Sequence, residues 1–142
     1  MCLTLDRGAS QDDRQLLQSF GHIDCYKVVR EDYSPIYFGY LGLQAYAHPG
    51  IVKAKQDEPA WVVTQTTYLT VLEGGAIHAF KTKEAAEGWA AFHNANETCH
   101  IIRVRGAFEH YIASGNNNDI AFTEVQVPVN ATVATLHRKD YQ

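Results

Sequence analysis

The sequence has few cysteines, little excess charge and no apolar run long enough to cross a bilayer. Its three cysteines, Cys2, Cys25 and Cys99, cannot all pair with one another, and none belongs to a CxxC motif. The sequence therefore offers neither a zinc knuckle nor a thioredoxin-like site. An odd number of cysteines without a signal peptide is typical of a reducing compartment, and the apolar runs are far shorter than the ~20 residues of a membrane-spanning helix. We expect a soluble, cytoplasmic protein without a membrane partner.

The charge balance argues against nucleic acid as the main ligand. The 142 residues include 12 Lys and Arg against 16 Asp and Glu, a formal net charge of −4. Nucleic-acid binding is driven by clustered basic side chains that release counterions from phosphates. The basic residues here are scattered in pairs with strand-like or turn-like spacing: Lys53 and Lys55, Lys81 and Lys83, Arg103 and Arg105, Arg138 and Lys139. We interpret these pairs as solvated faces rather than a phosphate-binding track.

Diagnostic catalytic motifs are also missing. The sequence contains no P-loop, no GxGxxG and no Ser-His-Asp arrangement. An acid–base pair assembled from distant positions is the alternative. The missing motifs favour a protein that binds over one that catalyses, and no cofactor is predicted.

The periodicity of the chain predicts one α+β domain that spans residues 1–142. Hydrophobic residues make up 46% of the sequence and charged residues 20%, which is ordinary for a globular domain. Ser10, with Asp13 three residues later, predicts a short helix over about 10–20 that stops at Gly21. Strands are predicted at 23–30, 36–46, 61–72, 76–80, 100–112, 120–127 and 131–136, with a loop at 51–59 and a polar tail at 137–142. We predict a mainly antiparallel sheet with about two short helices.

The clearest local unit is a strand that runs into a helix over residues 74–94. The strand would place His78 and Phe80 on the same face, because side chains alternate along a strand. Thr82 has the side chain expected of a helix N-cap. The helix then shows helical spacing of three residues that we predict to be buried: Ala85, Trp89 and Phe92.

An aromatic stretch interrupted by glycines at 36–46 suggests a ligand site. Glycine within a strand often marks a bulge or a place where another group approaches the backbone. Ligand sites typically combine aromatic and apolar walls with a few polar groups. The predicted ligand-binding residues are Tyr37, Tyr40, Tyr46, Trp61, His78 and Phe80. Ordinary core packing requires the same residue types and is the alternative explanation.

Two other patterns could carry chemistry, and each has a simpler explanation. His93, Glu97 and His100 have helical spacing, but the helix is predicted to end between the first and the second of them, so no metal site is predicted. If Met1 were removed, the amine of Cys2 could act as a base, as in N-terminal nucleophile hydrolases. Such enzymes usually have longer, layered chains, and we expect Cys2 to be a small buried hydrophobic residue.

Several short segments, mostly between residues 22 and 127, carry a resemblance to known proteins. They are Met1-Cys2, Tyr26-Lys27-Val28-Val29, Ser34-Pro35, Gly75-Ala76-Ile77-His78-Ala79-Phe80, Ala85 with Trp89, and His100-Ile101-Ile102-Arg103-Val104. In these segments the chain resembles a loose group of small, uncharacterised accessory proteins of tailed bacteriophages. The extra Ala76 before the strand departs from the Gly-x-His-x-Phe pattern of that group.

The resemblance implies a phage protein that acts in the host cytoplasm. Such proteins often bind a host protein or a small ligand, for example a signalling nucleotide, as the Thoeris anti-defence sponges do, which would make this chain a counter-defence factor. Exposed tyrosines and strand edges predict a homo-oligomer. The alternative that the resemblance implies is an ADP-ribosyltransferase-like, NAD-using enzyme, which needs an Arg or His on an early strand, an aromatic residue that stacks on nicotinamide and a late-strand Glu. Arg30, Tyr40 and Glu124 could fill these roles. An N-terminal cysteine hydrolase is the third hypothesis.

Overall fold

Two α-helices and eleven strands occupy the part of the chain that the computed structural model describes, residues 3–35, 45–54, 60–64, 69–73, 76–93 and 97–137. Only the backbone is described at 60–64, 69–73 and 93. The elements are β1 (Leu3–Thr4), α1 (Arg7–Phe20), β2 (His22–Arg30), β3 (Gly50–Lys53), β4 (Ala60–Thr64), β5 (Leu69–Glu73), β6 (Ile77–Phe80), α2 (Lys83–His93), β7 (Cys99–Ala107), a 3-10 turn (Phe108–His110), β8 (Tyr111–Ser114), β9 (Asp119–Phe122), β10 (Glu124–Val127) and β11 (Thr132–Leu136). Neither α-helix is long and apolar enough to cross a membrane.

The larger sheet contains eight strands in the order β3-β10-β7-β2-β6-β9-β8, with β11 paired to β7. Its longest ladder joins β2 to β7, from His22 opposite Ala107 to Arg30 opposite Cys99. The smaller sheet has the order β1-β5-β4. All of the registered pairs between named strands are antiparallel. The prediction of a single α+β domain with a mainly antiparallel sheet and two helices is confirmed.

Side-chain alternation along the central strands supplies both faces of the core. Cys25 and Val29 of β2 pack in the same cluster as Leu17 of α1. Val28 lies on the opposite face of β2 and packs in the cluster that contains Ala86 and Ala90 of α2. The two helices therefore cover opposite faces of the sheet, as the period-two pattern of a strand buried on both faces requires.

Helix α1 begins three residues before its predicted start because Asp6 caps it. The Asp6 carboxylate accepts a hydrogen bond from the backbone N–H of Ala9 at 3.0 Å. The helix ends at Gly21, whose φ of +83° suits glycine and whose N–H donates to the carbonyl oxygen of Leu17 at 2.7 Å. Ser10, which was predicted to cap the helix, instead lies within it, and its hydroxyl bonds to β8.

A polar network ties α1 to β8. The Asp13 carboxylate accepts a hydrogen bond from the Ser114 hydroxyl at 2.5 Å and lies 3.1 Å from the Lys81 ammonium. The Tyr111 hydroxyl lies 2.8 Å from the Ser114 hydroxyl. The Ser10 hydroxyl accepts a hydrogen bond from the Ser114 N–H at 2.9 Å. Because Asp13 and Ser114 are both buried, these bonds satisfy groups that would otherwise be desolvated without partners.

Helix α2 buries a different stripe from the predicted one. The predicted cap is confirmed, since Thr82 accepts from the N–H of Ala85 at 3.2 Å. Ala86 and Ala90 are fully buried, whereas Phe92 is 82% exposed, so its predicted burial is wrong. The helix presents its small residues to the sheet, and this rotation turns Phe92 towards solvent while Ala85 and Trp89 stay half-buried.

An edge strand replaces the first part of the loop predicted at 51–59. Gly50–Lys53 pairs with β10, with Val52 opposite Val125 and Ile51 opposite Gln126. Val52 is buried and its two neighbours are exposed. The alternation is that of a strand with one face on the core, over too few residues for the sequence pattern to reveal it.

Candidate ligand-binding cavity

Among the predicted site residues whose side chains are described, Tyr46 and Phe80 belong to different core clusters. Tyr37 and Tyr40 lie outside the described residues, as does the side chain of Trp61. Phe80 is buried against α2, with its ring centroid 6.0 Å from that of Trp89. Tyr46 is buried in the cluster on the opposite face of the sheet. Ligand binding by this set stays a prediction.

His78 is a buried histidine in an unusual setting. Its side chain is 6% exposed, and neither ring nitrogen has a hydrogen-bond partner among the described residues. Burial, helped by the positive charge of Lys27, lowers the pKa of the imidazole to about 3. The ring is therefore neutral at physiological pH, and its desolvated nitrogens oppose folding.

Lys27 approaches the same strand from the other face. Its ammonium donates to the backbone carbonyl of His78 at 2.8 Å and lies 5.6 Å from the centroid of the Tyr46 ring. A single residue pair, Tyr26 with Phe80, joins β2 to β6. The backbone carbonyl of His78, two residues before Phe80, accepts its hydrogen bond from Lys27. Burial lowers the pKa of the ammonium to about 8.

A polar cavity with described walls lies where β2 begins and β7 ends. Its volume is about 360 Å³, within the usual range for small-molecule sites. The pairing of His22 with Ala107 brings these strand ends together, and the 3-10 turn and β10 complete the wall. The lining residues are Gly21, His22, Ile51, Arg105, Ala107, Glu109, His110, Glu124, Val125 and Gln126.

A paired imidazole and carboxylate form the chemical centre of this cavity. Nε2 of His110 lies 3.1 Å from Oε2 of Glu124, and the two side chains are 30% and 20% exposed. The backbone N–H of Thr123 donates to the carbonyl oxygen of His110 at 2.8 Å, which anchors the 3-10 turn beside β10. Lys53 lies 3.7 Å from the other Glu124 oxygen. Such a pair can accept hydrogen bonds and exchange a proton with a ligand.

Arg105 adds a cation to the wall. Its Nε is 3.7 Å from Oδ1 of Asp24, and both side chains are about half-exposed. An ion pair this long and this exposed contributes little to stability, so the guanidinium keeps donors for a ligand. Together with His22 and Glu109, the cavity presents both donors and acceptors within a small volume.

Glu124 is the member of this group that the sequence offers as a candidate, together with Arg30. Arg30 pairs with Cys99 at the start of β7, whereas Gln126 of β10 pairs with Arg105 near its end. Cys99 and Arg105 are six residues apart, about 20 Å along a strand. Arg30 and Glu124 therefore do not meet. His22, Arg105 and His110 were not predicted, because they come from elements that only strand pairing brings together.

The other candidate residues have structural partners or lie elsewhere. The His100 ring stacks on Tyr33 with centroids 4.5 Å apart, and its nitrogens bond to Thr135 and to the backbone of Glu31. No group of three or more potential metal ligands occurs among the described residues. Burial raises the pKa of the Cys25 thiol to about 12, which makes that thiol unreactive. Cys2 lies outside the described residues.

Comparisons with known proteins found no matching family model, no similar curated protein and no solved structure with a matching fold.

Proposed function

We propose that this protein binds a small polar ligand in the cavity of His110 and Glu124 and does not transform it. The observation that carries the proposal is the pairing of an imidazole with a carboxylate, 3.1 Å apart, in the wall of a cavity of about 360 Å³. The Glu124 oxygens lie against His110 and Lys53, and because each carboxylate oxygen can accept more than one hydrogen bond, Glu124 can still accept from a ligand in the cavity.

The chemistry of the wall supports a ligand with groups of both kinds. Glu124 and Glu109 offer acceptor oxygens to a ligand's N–H or O–H groups, and Arg105 offers donors to an anionic or carbonyl group. A nucleotide combines these features, since its base or ribose donates and its phosphate accepts. A signalling nucleotide is also the ligand that the resemblance to phage proteins suggests.

Thermal unfolding with a panel of mononucleotides and cyclic nucleotides tests the proposal. A ligand that binds only the folded state at 100 times its Kd stabilises by about 2.7 kcal/mol, and for a domain of this size we expect a rise of about 8 °C in the midpoint. Glu124→Gln keeps the shape of the side chain but removes its charge, and should reduce this rise to a small fraction.

Glu84→Gln is the matched control, because Glu84 is an exposed residue in the first turn of α2 and does not line the cavity. It should leave the ligand-induced rise unchanged. If no member of the panel raises the midpoint, a nucleotide is not the ligand. If a stabilising nucleotide acts equally on the wild type and on Glu124→Gln, the cavity is not the binding site.

An NAD-using transferase is the second candidate, and one observation favours it. Glu124 on a late strand and His22 at the start of an early strand line the same cavity. The resemblance called for an Arg or His on an early strand, and His22 meets this requirement in place of Arg30. The aromatic partner considered for nicotinamide, Tyr40, lies outside the described residues.

Release of nicotinamide from NAD distinguishes the two candidates. A transferase breaks the bond between ribose and nicotinamide and passes the ADP-ribose to an acceptor or to water, whereas a binding protein returns NAD intact. Chromatography of the reaction mixture measures both products. Glu124→Ala should abolish nicotinamide release while the circular dichroism spectrum stays unchanged. Intact NAD after prolonged incubation would exclude the transferase under those conditions.

The wider biological setting is proposed on the resemblance, and the oligomeric state on the exposed tyrosines and strand edges that the sequence predicts. We propose a bacteriophage accessory protein with a counter-defence function, with a host protein as an alternative partner and a homo-oligomeric state. Light scattering during size exclusion measures the oligomeric state, and a strict monomer would contradict that part. An intact mass that retains Met1 would exclude the hypothesis of an N-terminal Cys2 nucleophile.

A further inference from the structure

A second cavity, of about 370 Å³, lies between α1 and β8. It shares no lining residue with the cavity of His110 and Glu124, so what it binds is independent of the function proposed above. Its lining residues are Leu5, Arg7, Ser10, Gln11, Arg14, Ile112 and Ala113.

The helix and the strands give this cavity two kinds of wall. Arg7 and Arg14 are seven residues apart on α1, so they project from one face of the helix about 10 Å apart along its axis. The opposite wall is apolar and consists of Leu5, Ile112 and Ala113. Two guanidiniums thus stand beside an apolar surface.

Neither guanidinium has a carboxylate partner within 4.0 Å in the described part of the chain. The nearby acidic residues either have other partners or lie on another side of the helix. Asp6 caps the helix, and Asp13 is held by the network that ties α1 to β8. Asp12 precedes Arg14 by two positions, which places it on the far side of the helix. The two arginines therefore retain their donors for an external anion.

Arg14 is also held in place. Its Cζ lies 5.4 Å from the centroid of the Tyr111 ring, a cation–π distance. The Tyr111 hydroxyl in turn donates to the carbonyl oxygen of Ser10 at 3.2 Å and lies 2.8 Å from the Ser114 hydroxyl. A guanidinium that is positioned before binding loses less conformational freedom when it binds.

We infer that this second cavity binds an organic anion, in which an apolar chain or ring ends in a carboxylate or phosphate. The anionic end meets Arg7 and Arg14, because guanidinium donors match the oxygens of such groups. The apolar body covers Leu5, Ile112 and Ala113, which are half-buried or buried. A simple inorganic anion would leave this apolar wall in water, and a neutral apolar molecule would leave the arginines without a partner.

Octanoate and octanamide are a matched pair of probes for this site, because they share an apolar chain and differ in the charge of the end group. Titration followed by backbone amide NMR gives both the affinity and the location. Octanoate should shift the amides of residues 5–14 and 111–113 and bind about tenfold more tightly than octanamide, the factor expected for one exposed charge-assisted hydrogen-bonded contact.

Arginine variants test the origin of that preference. Arg7→Gln and Arg14→Gln should each weaken octanoate binding by about tenfold and leave octanamide binding unchanged. Arg103→Gln is the control, since Arg103 is an exposed residue of β7 outside this cavity, and it should bind both probes as the wild type does. Circular dichroism establishes that each variant is folded.

Three results would overturn the inference. The first is equal affinity of the wild type for octanoate and octanamide. The second is unchanged octanoate affinity in both folded cavity variants. The third is displacement of octanoate by inorganic phosphate at an equal concentration, which would mean that the apolar wall contributes nothing to binding.

Discussion

The buried imidazole of His78 should make the protein lose stability as the pH falls from 7 to 5. The pKa of this ring is about 3 in the folded protein, against 6.5 for the ordinary side chain. A folded-state pKa below the unfolded value means that protons bind preferentially to the unfolded chain. The free energy of unfolding is therefore unaffected by His78 protonation well above pH 6.5, and it falls progressively as the pH drops from 6.5 towards 3.

The magnitude follows from linkage. With an unfolded pKa of 6.5, protonation stabilises the unfolded chain by about 0.2 kcal/mol at pH 7 and by about 2 kcal/mol at pH 5, while the folded ring stays neutral at both. The free energy of unfolding should thus fall by about 2 kcal/mol. Lys27, the nearest cation, titrates with a pKa of about 8 and stays mostly charged over this range.

Urea unfolding at pH 7 and pH 5 measures this loss, and His78→Leu isolates it. Leucine has a similar volume and does not titrate, so the variant should lack about 2 kcal/mol of the pH dependence that the wild type shows. His48→Leu, at an exposed histidine, is the control and should retain the wild-type dependence. Equal pH dependence in the wild type and in His78→Leu would refute the reasoning, because it would mean that His78 gains its proton without unfolding.

Three further substitutions test packing and polar contacts, each by urea unfolding at pH 7. Asp13→Asn should destabilise by about 3 kcal/mol, because it leaves the half-buried Lys81 without its carboxylate. Gly106→Ala should destabilise by about 1–3 kcal/mol, since a Cβ atom there would overlap the Phe122 ring. Gly88→Ala should instead stabilise by about 0.5–1 kcal/mol, because a Cβ atom in the middle of α2 meets nothing within 4 Å.

Each of these substitutions has its own contradicting outcome. Asp12→Asn, at the exposed neighbour of Asp13, is the control for the polar network and should change stability by less than about 0.5 kcal/mol. A loss of stability in Asp13→Asn as small as that in Asp12→Asn would mean that the network contributes nothing. Stability unchanged in Gly106→Ala would show that the Phe122 ring can move aside, and destabilisation in Gly88→Ala would show that α2 is closely covered at that point.

Local signals in the sequence determined where several elements begin and end. Gly21 stops α1 because its backbone adopts a positive φ, and Thr82 caps α2 through its own hydroxyl. Both effects depend on a few neighbouring residues, so they are legible without a structure. The strand-rich composition that follows α1 likewise determined the α+β class. The sequence did not predict which side of α2 is buried. Ala86 and Ala90 are buried because small side chains fit the space between the helix and the sheet, and not because they are the most hydrophobic residues of the helix.

Only the tertiary structure decided which polar side chains meet. His22, Arg105 and Glu124 belong to three strands whose relative positions follow from the pairing register of β2, β7 and β10, and His110 joins them through the 3-10 turn. A register shift of one residue would turn these side chains to the other face of the sheet. The same physics separates Arg30 from Glu124. Residue identity supplied the possible chemistry, and non-local hydrogen bonding between strands determined where it is assembled.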